Sequence, residues 1–453
     1  MSFPRYPVYK DSGVEWLGAV PGHWEVVRLR FTAAINPSKT ELATWNRETL
    51  VSFLPMDAVG DDGTLRLDTE KPLSDVENGY TYFRNGDVTF AKITPCYENG
   101  KGALMQGLCN GVGFGTTELT VVRPHDSRLD GRYLHFVFIS NQFRRLGEAQ
   151  MYGAGGQKRV PDSFVRDFRT AFPPLPEQQA IAAFLDRETA RIDALVAEQE
   201  RLIELLREKR QAVISHAVTK GLDPSVPMKD SGVEWLGMVP GHWEVRRILD
   251  LARLESGHTP SRQHDEYWVD AECSIPWFTL ADVSFLRDLR NTTISTTSQK
   301  ISPLGMANSA ARLLPAGTVI LSRTASVGFS GITTVDLAVS QDFAAWICGG
   351  ELRPRFLLLS LRGMTQEFSR LMFGATHQTI YMPDIRAFRI ALPSLAEQDG
   401  IVAATDGETA RIDALVAEAE HAITLLQERR SALISAAVTG QIDVRAAVTQ
   451  EAS

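Results

Sequence analysis

A long internal duplication limits the folds open to this chain more than any other feature of its sequence. Lys10–Val26 (KDSGVEWLGAVPGHWEV) returns at Lys229–Val245 with a single change, 219 residues later. Glu188–Glu198 (ETARIDALVAE) returns unchanged at Glu408–Glu418, 220 residues later. Because the offset is nearly constant, the sequence predicts two structurally equivalent halves.

Between the repeated segments the two halves diverge. Residues 30–150 share little with residues 250–370, whereas a weaker match between Gly153–Asp162 and Gly374–Asp384 lies at nearly the same offset as the others. A recent duplication of one domain would be similar throughout. Near-identity beside strong divergence therefore indicates that one part of each half serves a common partner and the other part serves two different targets.

Each half contains one long helix-forming segment. Residues 178–218 contain no glycine or proline and are rich in Ala, Leu, Glu, Arg and Gln, which favours a helix. Prolines precede this segment, where the first helical turn needs no N–H donor. The second copy runs from Pro393 to Gly440. A helix of about 40 residues is about 60 Å long, which exceeds the width of a domain of about 170 residues.

Apolar residues recur along both segments in steps of three, four and seven, which predicts a coiled-coil seam. The expected helix-pairing residues are Leu185, Ile192, Leu195, Leu202, Leu206 and Val213 in the first segment and Ile412, Leu415, Leu426 and Leu433 in the second. The first helix delivers the chain to the second half, so a second helix that pairs with it must run back. The sequence therefore predicts an antiparallel pair forming a rod; the alternative is that each helix packs on its own globular domain.

The segments outside the helices alternate short strand-like runs with Gly, Asn and Asp turns, which predicts mixed α/β domains. The expected fold is α+β with a pseudo-two-fold internal repeat. The predicted order is a variable domain at 1–173, a helix at 174–221, a second variable domain at 222–392, a second helix at 393–443 and a tail at 444–453.

Charge is distributed unevenly between these parts. The chain carries a net charge of −8, which excludes a uniformly basic nucleic-acid coat. Residues 1–173 and 224–392 are neutral overall, whereas residues 174–223 carry −2 and residues 393–453 carry −6. Because the acidic excess lies on the helices and tail, each variable domain can still present a local basic face.

Polar loops in both variable domains supply candidate DNA-contacting residues. Their side chains suit base edges, because Arg and Lys bind guanine, Gln and Asn bind adenine, and Ser and Thr bind either. The candidates are Lys92, Thr94, Tyr97, Asn99, Lys101, Gln157, Lys158 and Arg159 in the first domain and Thr259, Ser261, Arg262, Arg323, Ser326, Thr376, His377, Gln378 and Tyr381 in the second. Each cluster by itself is more typical of a solvated turn than of a DNA-contacting loop. However, one glycine-containing loop recurs in both halves with GQKR replaced by THQT, as two different targets require.

The sequence contains no recognisable catalytic motif. A Walker phosphate loop, a GxGxxG after a strand, a GxSxG and an Asn/Asp-Pro-Pro-aromatic methyltransferase motif are all missing. The four cysteines lack CxxC spacing, and the single histidine of each GHWE segment is predicted to pack rather than to bind a metal. The first residues lack the apolar core of a signal peptide, and no apolar run approaches the ~20 residues that span a bilayer. We therefore expect a non-catalytic cytoplasmic protein with no metal site.

Taken together, these motifs resemble the specificity (S) subunits of type I restriction–modification systems. The specific marks are WLGAVPGHWEV at 16–26, FPPLPEQQAIAAFLD at Phe172–Asp186 and the variant LPSLAEQDGIVAATD at Leu392–Asp406. Looser marks lie within the variable domains, at Val112–Pro124, Gly257–Trp268 and Ile275–Val283.

The resemblance implies that each variable domain is a target recognition domain that reads one half of a split double-stranded DNA site. It also implies that the antiparallel helices act as a ruler between them. Two methyltransferase (M) subunits that methylate adenine and restriction (R) subunits would be the partners. S-adenosylmethionine, ATP and Mg²⁺ would then be bound by those partners and no cofactor by this chain. From composition and repeats alone, a coiled-coil adaptor with two protein-binding heads is a nearly equal alternative.

Overall fold

The computed structural model describes residues 3–154, 156–287, 290–372 and 378–445. The chain divides into two compact units: unit 1 comprises Met1–Glu198 and Ala422–Ser453, and unit 2 comprises Gln199–His421. Each unit contains one of the variable domains, called head 1 (residues 3–173) and head 2 (residues 222–392) below, together with a stretch of both long helices.

Head 1 consists of short strands and short helices. The strands are β1 (Tyr9–Asp11), β2 (Ala19–Pro21), β3 (Glu25–Arg28), β4 (Ala33–Ile35), β5 (Leu50–Leu54), β6 (Glu70–Pro72), β7 (Thr81–Arg84), β8 (Val88–Ala91), β9 (Gly102–Leu104), β10 (Val112–Gly115), β11 (Leu119–Pro124) and β12 (Arg169–Phe172). The helices are α1 (Leu73–Val76), α2 (Gly131–Ile139), α3 (Asn141–Ala149) and α4 (Asp162–Asp167), followed by the long helix α5 (Leu175–Lys220).

Two four-stranded sheets form most of head 1, in the orders β6-β5-β10-β7 and β4-β11-β8-β9. Strands β5 and β10 are parallel, and the other pairs are antiparallel. The core beneath the second sheet is aromatic: the fully buried ring of Phe143 lies within 5.4 Å of the rings of Phe90, Phe138, Phe164 and Phe168. Aromatic rings of this size account for much of the apolar area that a small domain buries.

Head 2 likewise consists of short strands and short helices. Its strands are β13 (Met228–Asp230), β14 (Met238–Pro240), β15 (Glu244–Arg247), β16 (Ala252–Ser256), β17 (Ile275–Phe278), β18 (Thr293–Ile294), β19 (Gln299–Ile301), β20 (Val319–Ser322), β21 (Ser330–Thr333), β22 (Ala338–Val339), β23 (Phe343–Cys348) and β24 (Arg389–Leu392). Its helices are α6 (Ile248–Leu251), α7 (Pro303–Ala307), α8 (Pro354–Gly363), α9 (Thr365–Met372) and α10 (Met382–Ala387), followed by the second long helix α11 (Leu395–Val438).

The two heads share one topology although their sequences have diverged. In head 2 the order β16-β23-β20-β21 matches β4-β11-β8-β9 of head 1, and β19-β17-β22 matches β6-β5-β10. The matching includes the parallel pair, β17 with β22. Head 1 adds β7 beside β10, and head 2 adds β18 beside β21. The mixed helix and strand content predicted for both variable domains is therefore confirmed.

Both long helices are present, with 46 residues in α5 and 44 in α11. Their first turns differ. Helix α5 starts with Pro176 as its second residue, whereas α11 uses a capping box, in which Ser394 and Glu397 each accept the other's backbone N–H at 3.3 and 3.1 Å. Gly221 and Gly440 follow the two helices with φ of +73°, the left-handed conformation that ends many helices.

The two long helices contact each other within each unit. In unit 1, Arg430 Nε lies 2.9 Å from Asp193 Oδ1. In unit 2, Arg207 lies 3.7 Å from Glu420, and Arg210 contacts the carboxylate of Asp413 at 3.0 and 3.4 Å. In unit 2 the partner numbers fall as the α5 numbers rise, so the antiparallel pairing predicted from connectivity is confirmed there.

The buried seam differs in part from the predicted one. Leu185, Ile192, Leu206 and Ile412 are buried, and Val213, Leu426 and Leu433 are half-buried. Leu195, Leu202 and Leu415 are 39, 42 and 49% exposed, and Ile203, Ile214 and Val416 are buried instead. The seam differs by one residue at these positions because the rotation of each helix about its axis decides which of two adjacent aliphatic residues faces the partner. No helix in the described ranges combines the length and apolar character needed to cross a membrane.

Candidate nucleic-acid interface

Two of the predicted DNA-contacting segments lie side by side at one edge of head 1. Strand β8 ends at Ala91, and the chain continues into Lys92, whose N–H donates to the Glu118 carbonyl at 2.8 Å. The Lys92 carbonyl accepts from Val160 N–H at 2.8 Å, and Thr94 N–H donates to the Lys158 carbonyl at 3.0 Å. The structure therefore brings residues 92–94 together with the glycine-rich loop that ends at residue 160.

The side chain of Thr94 holds this loop in place. Its Oγ1 donates to the Gly156 carbonyl at 2.6 Å and accepts from Lys158 N–H at 3.0 Å. Since these bonds involve only the backbone of the loop, the side chains of Gln157 and Lys158 stay exposed. Asn99 is exposed as well. We conclude that Thr94 positions the loop, whereas Gln157 and Lys158 are available to a ligand.

Arg159 forms a bidentate ion pair with Glu118. Glu118 was not among the residues predicted from the sequence. Arg159 Nη2 and Nε donate to the two Glu118 carboxylate oxygens at 2.6 and 2.9 Å, and these hydrogen bonds lower the pKa of Glu118. The pair lines a cleft of about 400 Å³ together with Lys92 and the 63% exposed Tyr152. Because 41 residues separate Arg159 from Glu118, no local sequence signal could have indicated the pairing.

Two predicted contact residues of head 1 face the protein instead. Tyr97 is 3% exposed, its hydroxyl donates to the Phe143 carbonyl at 2.9 Å, and burial raises its pKa. Lys101 Nζ donates to the carbonyls of Met56 and Val59 at 3.1 and 3.0 Å. The structure thus gives these two side chains intramolecular partners, because a mixed polar loop in the sequence does not reveal which side chains the surrounding backbone will use.

Head 2 builds the same loop pair with other side chains. Arg323 N–H donates to the Asp342 carbonyl at 2.9 Å, the Arg323 carbonyl accepts from Ile380 N–H at 2.8 Å, and Ala325 N–H donates to the Gln378 carbonyl at 2.8 Å. The side chain of Gln378 is exposed. The predicted residues Arg323 and Gln378 therefore come together as Lys92 and Lys158 do in head 1.

Gln341 joins two further predicted residues of head 2. The guanidinium of Arg323 donates through Nε and Nη2 to the Gln341 carbonyl at 3.0 and 2.7 Å. Thr259 Oγ1 contacts the Gln341 side-chain oxygen at 2.6 Å. The sequence reasoning did not select Gln341, whose neighbours in sequence, Ser340 and Asp342, are equally polar.

The remaining described candidates of head 2 make other contacts. The Arg262 guanidinium lies 3.7 Å from the centre of the Trp268 ring, a cation–π contact, and donates to Gln299 Oε1 at 3.1 Å. The Ser261 carbonyl accepts from Trp268 Nε1 at 3.1 Å. Ser326 Oγ accepts from an Arg287 N–H at 3.4 Å, and Tyr381 is 61% exposed at the start of α10. Thr376 and His377 lie outside the described residues.

The repeated GHWE segment binds the first turn of the long helix. In unit 1, His23 Nε2 lies 2.7 Å from Glu177 Oε2, and Trp24 Nε1 donates to Glu177 Oε1 at 3.1 Å. The Tyr6 hydroxyl donates to the same oxygen at 2.7 Å. Trp24 is fully buried, so the segment packs against the helix start as the sequence predicted.

In unit 2 the equivalent carboxylate belongs to Glu397. His242 Nε2 lies 2.6 Å from Glu397 Oε1, Trp243 Nε1 donates to the same oxygen at 3.3 Å, and Ser394 Oγ contacts Oε2 at 2.8 Å. Burial raises the pKa of this carboxyl, but the hydrogen bonds from His242, Ser394 and Trp243 outweigh burial and lower the pKa to about 2. Glu397 therefore stays ionised at neutral pH.

The glutamine of the repeated Glu-Gln pair ties each helix to its head. Gln178 accepts from Asp130 N–H at 2.9 Å and donates to the carbonyls of Arg128 and Pro173, both at 2.9 Å. Gln398 makes the three equivalent bonds in unit 2, at 2.8, 2.9 and 3.0 Å. The nearly identical segments of the duplication thus form the joint between head and helix, and the divergent segments form the loop pairs.

The fold and the loop pairs together define a class of protein. Its two α/β heads share one topology but differ in sequence, and its two long helices pair antiparallel. Residues 240–412 match the family model described as type I restriction modification DNA specificity domain. The specificity subunit of the type I restriction enzyme EcoAI from Escherichia coli is 42% identical over 188 residues, which are 41% of this chain and 31% of that protein. The EcoEI specificity subunit from the same species is 40% identical over 200 residues, which are 44% of this chain and 33% of that protein.

The chain thus matches about a third of the length of these two relatives. Over more of its length it is similar to the putative MjaX specificity subunit of Methanocaldococcus jannaschii, at 21% identity over 80% of this chain and 79% of that protein. The crystal structure of the HsdS subunit from Thermoanaerobacter tengcongensis shares the fold with a TM-score of 0.57, at 20% identity over 93% of this chain and 98% of that one. These comparisons confirm the resemblance of this chain to the specificity subunits of type I restriction–modification systems.

Proposed function

We propose that this chain is the sequence-specific DNA-recognition subunit of a type I restriction–modification complex and that it reads an asymmetric, bipartite DNA site. The observation that carries the proposal is the loop pair, which has the same backbone hydrogen bonds in both heads but exposes Gln157 and Lys158 in one and Gln378 in the other. A backbone arrangement that is the same in both heads, with different polar side chains on it, suits two domains that recognise different base sequences.

Adenine methylation and restriction would be performed by partner subunits that this chain directs. We propose two methyltransferase subunits that use S-adenosylmethionine, and restriction subunits that use ATP and Mg²⁺. Within unit 2, helix α5 exposes Leu202 and Leu205 by 42 and 46%, and neighbouring exposed apolar side chains are typical of protein-docking surfaces. The same helix would therefore contribute to binding these partners.

Methylation-sensitive sequencing of a host that carries the whole system, with and without this gene, tests the proposal. We expect one bipartite methylated sequence that disappears when the gene is deleted. Exchanging residues 30–170 for those of another specificity subunit should change one half of that sequence and leave the other half intact. If no methylated sequence depends on the gene, the chain is better explained as an adaptor with two protein-binding heads. If both halves change, the two heads do not read independently.

A further inference from the structure

Lys92 and Arg323 occupy the same backbone position in two heads whose sequences have diverged. Each directly follows a fully buried strand, β8 in head 1 and β20 in head 2. Each donates its N–H to the carbonyl of an acidic residue, Glu118 at 2.8 Å and Asp342 at 2.9 Å, and each accepts at 2.8 Å from the residue that ends the neighbouring loop. The two cations are thus fixed at the base of equivalent loops.

The equivalence is visible only in three dimensions. Lys92 and Arg323 are 231 residues apart, whereas Lys158 and Gln378, which lie on the facing loops, are 220 apart. Insertions in head 2 therefore shift the cation out of the register of the duplication. A cation nevertheless occupies this position in both heads, although the neighbouring residues differ. We therefore look for a role of the cation that is the same in both heads.

The charge of Lys92 is available to a ligand. Its ammonium makes no hydrogen bond or ion pair with the residues that the structure describes. The carboxylate of Glu118, which lines the same cleft, is engaged by Arg159 at 2.6 and 2.9 Å. Asp162 also lines this cleft, and its carboxylate accepts from the neutral Asn36 amide at 2.9 Å. The lining therefore carries no net charge, but the Lys92 ammonium is not consumed by an ion pair within it.

The charge of Arg323 is available for a different reason. Its Nε and Nη2 groups donate to the neutral carbonyl of Gln341, which orients the guanidinium without neutralising it. The carboxylate of the adjacent Asp342 accepts from Ser340 Oγ at 2.8 Å. Arg323 thus has no carboxylate partner among the described residues, and its Nη1 end can bind an anion.

Building on the DNA-recognition function proposed above, we propose that Lys92 and Arg323 are the backbone-phosphate anchors of their respective heads. A cation at the same place in two readers cannot distinguish two half-sites, whereas a phosphate is the same in every sequence. Discrimination falls to the neighbours that differ at equivalent backbone positions: Lys158 in head 1 corresponds to Gln378 in head 2. This division explains how heads with no net charge hold a polyanion, because each keeps one positioned cation.

Salt dependence separates a phosphate anchor from a base reader. The assembled complex is titrated with a random-sequence duplex at several salt concentrations, and log K is plotted against log salt. Lys92→Gln and Arg323→Gln should each reduce the slope by about 0.9, the value for one lost phosphate contact. Lys92→Arg should restore the slope. In the host, the methylated sequence should stay the same in all three variants.

The duplication supplies matched controls. Lys10 and Lys229 are equivalent exposed lysines of the repeated segment, remote in sequence from both loop pairs, and their glutamine variants should leave the slope unchanged. Lys158→Gln, which places the head 2 residue on the head 1 loop, should alter the half-site read by head 1.

The proposal is overturned if Lys92→Gln or Arg323→Gln leaves the slope at the wild-type value, or if either variant relaxes a base of the methylated sequence. An equal loss of slope in the Lys10 and Lys229 controls overturns it too, since the effect would then be one of overall charge. Failure of the underlying function would look different, because the wild-type complex would then produce no gene-dependent methylated sequence at all.

Discussion

Replacing Gln178 by alanine should weaken the joint between head 1 and helix α5. The amide of Gln178 is 1% exposed and makes three hydrogen bonds, each of 2.9 Å, to the backbone of Asp130, Arg128 and Pro173. Alanine removes all three partners at once and leaves one N–H and two carbonyl groups in a site that water reaches poorly.

The expected loss follows from these three bonds. A buried hydrogen bond contributes about 1 kcal/mol net, so Gln178→Ala should lower the free energy of unfolding of unit 1 by about 3 kcal/mol. For a folding unit of this size, 1 kcal/mol corresponds to about 2–4 °C, so the melting temperature should fall by about 6–12 °C. Gln178→Glu keeps the acceptor for Asp130 N–H and loses both donors, so it should also destabilise.

The neighbouring Gln179 provides the control, because it has the same side chain on the same helical turn but is exposed. Differential scanning calorimetry and hydrogen exchange at the Asp130 amide should both separate Gln178→Ala from Gln179→Ala. If the two variants melt within about 1 °C of each other, where a loss of about 3 kcal/mol requires several degrees, the three hydrogen bonds do not hold head 1 to α5. The repeated glutamine would then need a different physical explanation.

Three further substitutions test other parts of the structure by thermal unfolding. The Glu397 carboxyl has a pKa of about 2 in the folded chain and 4.5 ordinarily, so its ionisation stabilises unit 2 above about pH 4.5 and this contribution is lost as the pH falls towards 2. Glu397→Gln should therefore make the melting temperature of unit 2 depend less on pH below about pH 4.5. An unchanged pH dependence would contradict the lowered pKa of Glu397. Arg210→Met should cost about 3 kcal/mol because it leaves a partly buried carboxylate unpaired, whereas Lys209→Met at an exposed ion pair should cost less than about 1 kcal/mol. Tyr97→Phe should cost about 1 kcal/mol through its lost hydrogen bond and leave the methylated DNA sequence unaltered; a changed sequence would return Tyr97 to the interface.

The helices were predictable because their signals are local. A stretch of 41 residues without glycine or proline, with apolar residues at steps of three and four, favours a helix whatever lies around it. The seam was predictable only in part: Leu206 is buried as expected, but Leu202 gives way to Ile203. Which of two adjacent aliphatic residues faces the partner depends on the rotation of each helix, and a short heptad pattern with polar interruptions does not set that rotation.

The interface shows the opposite balance. Residue types and the recurrence of one loop indicated the segments of the proposed interface, and the segments that carry Lys92, Gln157 and Lys158 do lie together. The partners that decide whether a side chain is available come from distant segments, as Glu118 does for Arg159. The intramolecular hydrogen bonds of Tyr97 and Lys101 were not predictable for this reason, since the groups they bind lie 46 and more than 40 residues away.

By itself, the sequence determined the duplication, the two long helices, their antiparallel course and the contrast between repeated and divergent segments. All of these rest on backbone propensity, side-chain period and chain connectivity. Only the tertiary structure decided which polar side chains face outwards, that the repeated His-Trp and Glu-Gln residues form one joint, and that a lysine and an arginine out of register occupy one position. Those facts depend on hydrogen bonds between segments far apart in the chain, and such contacts form only once the sheets have folded.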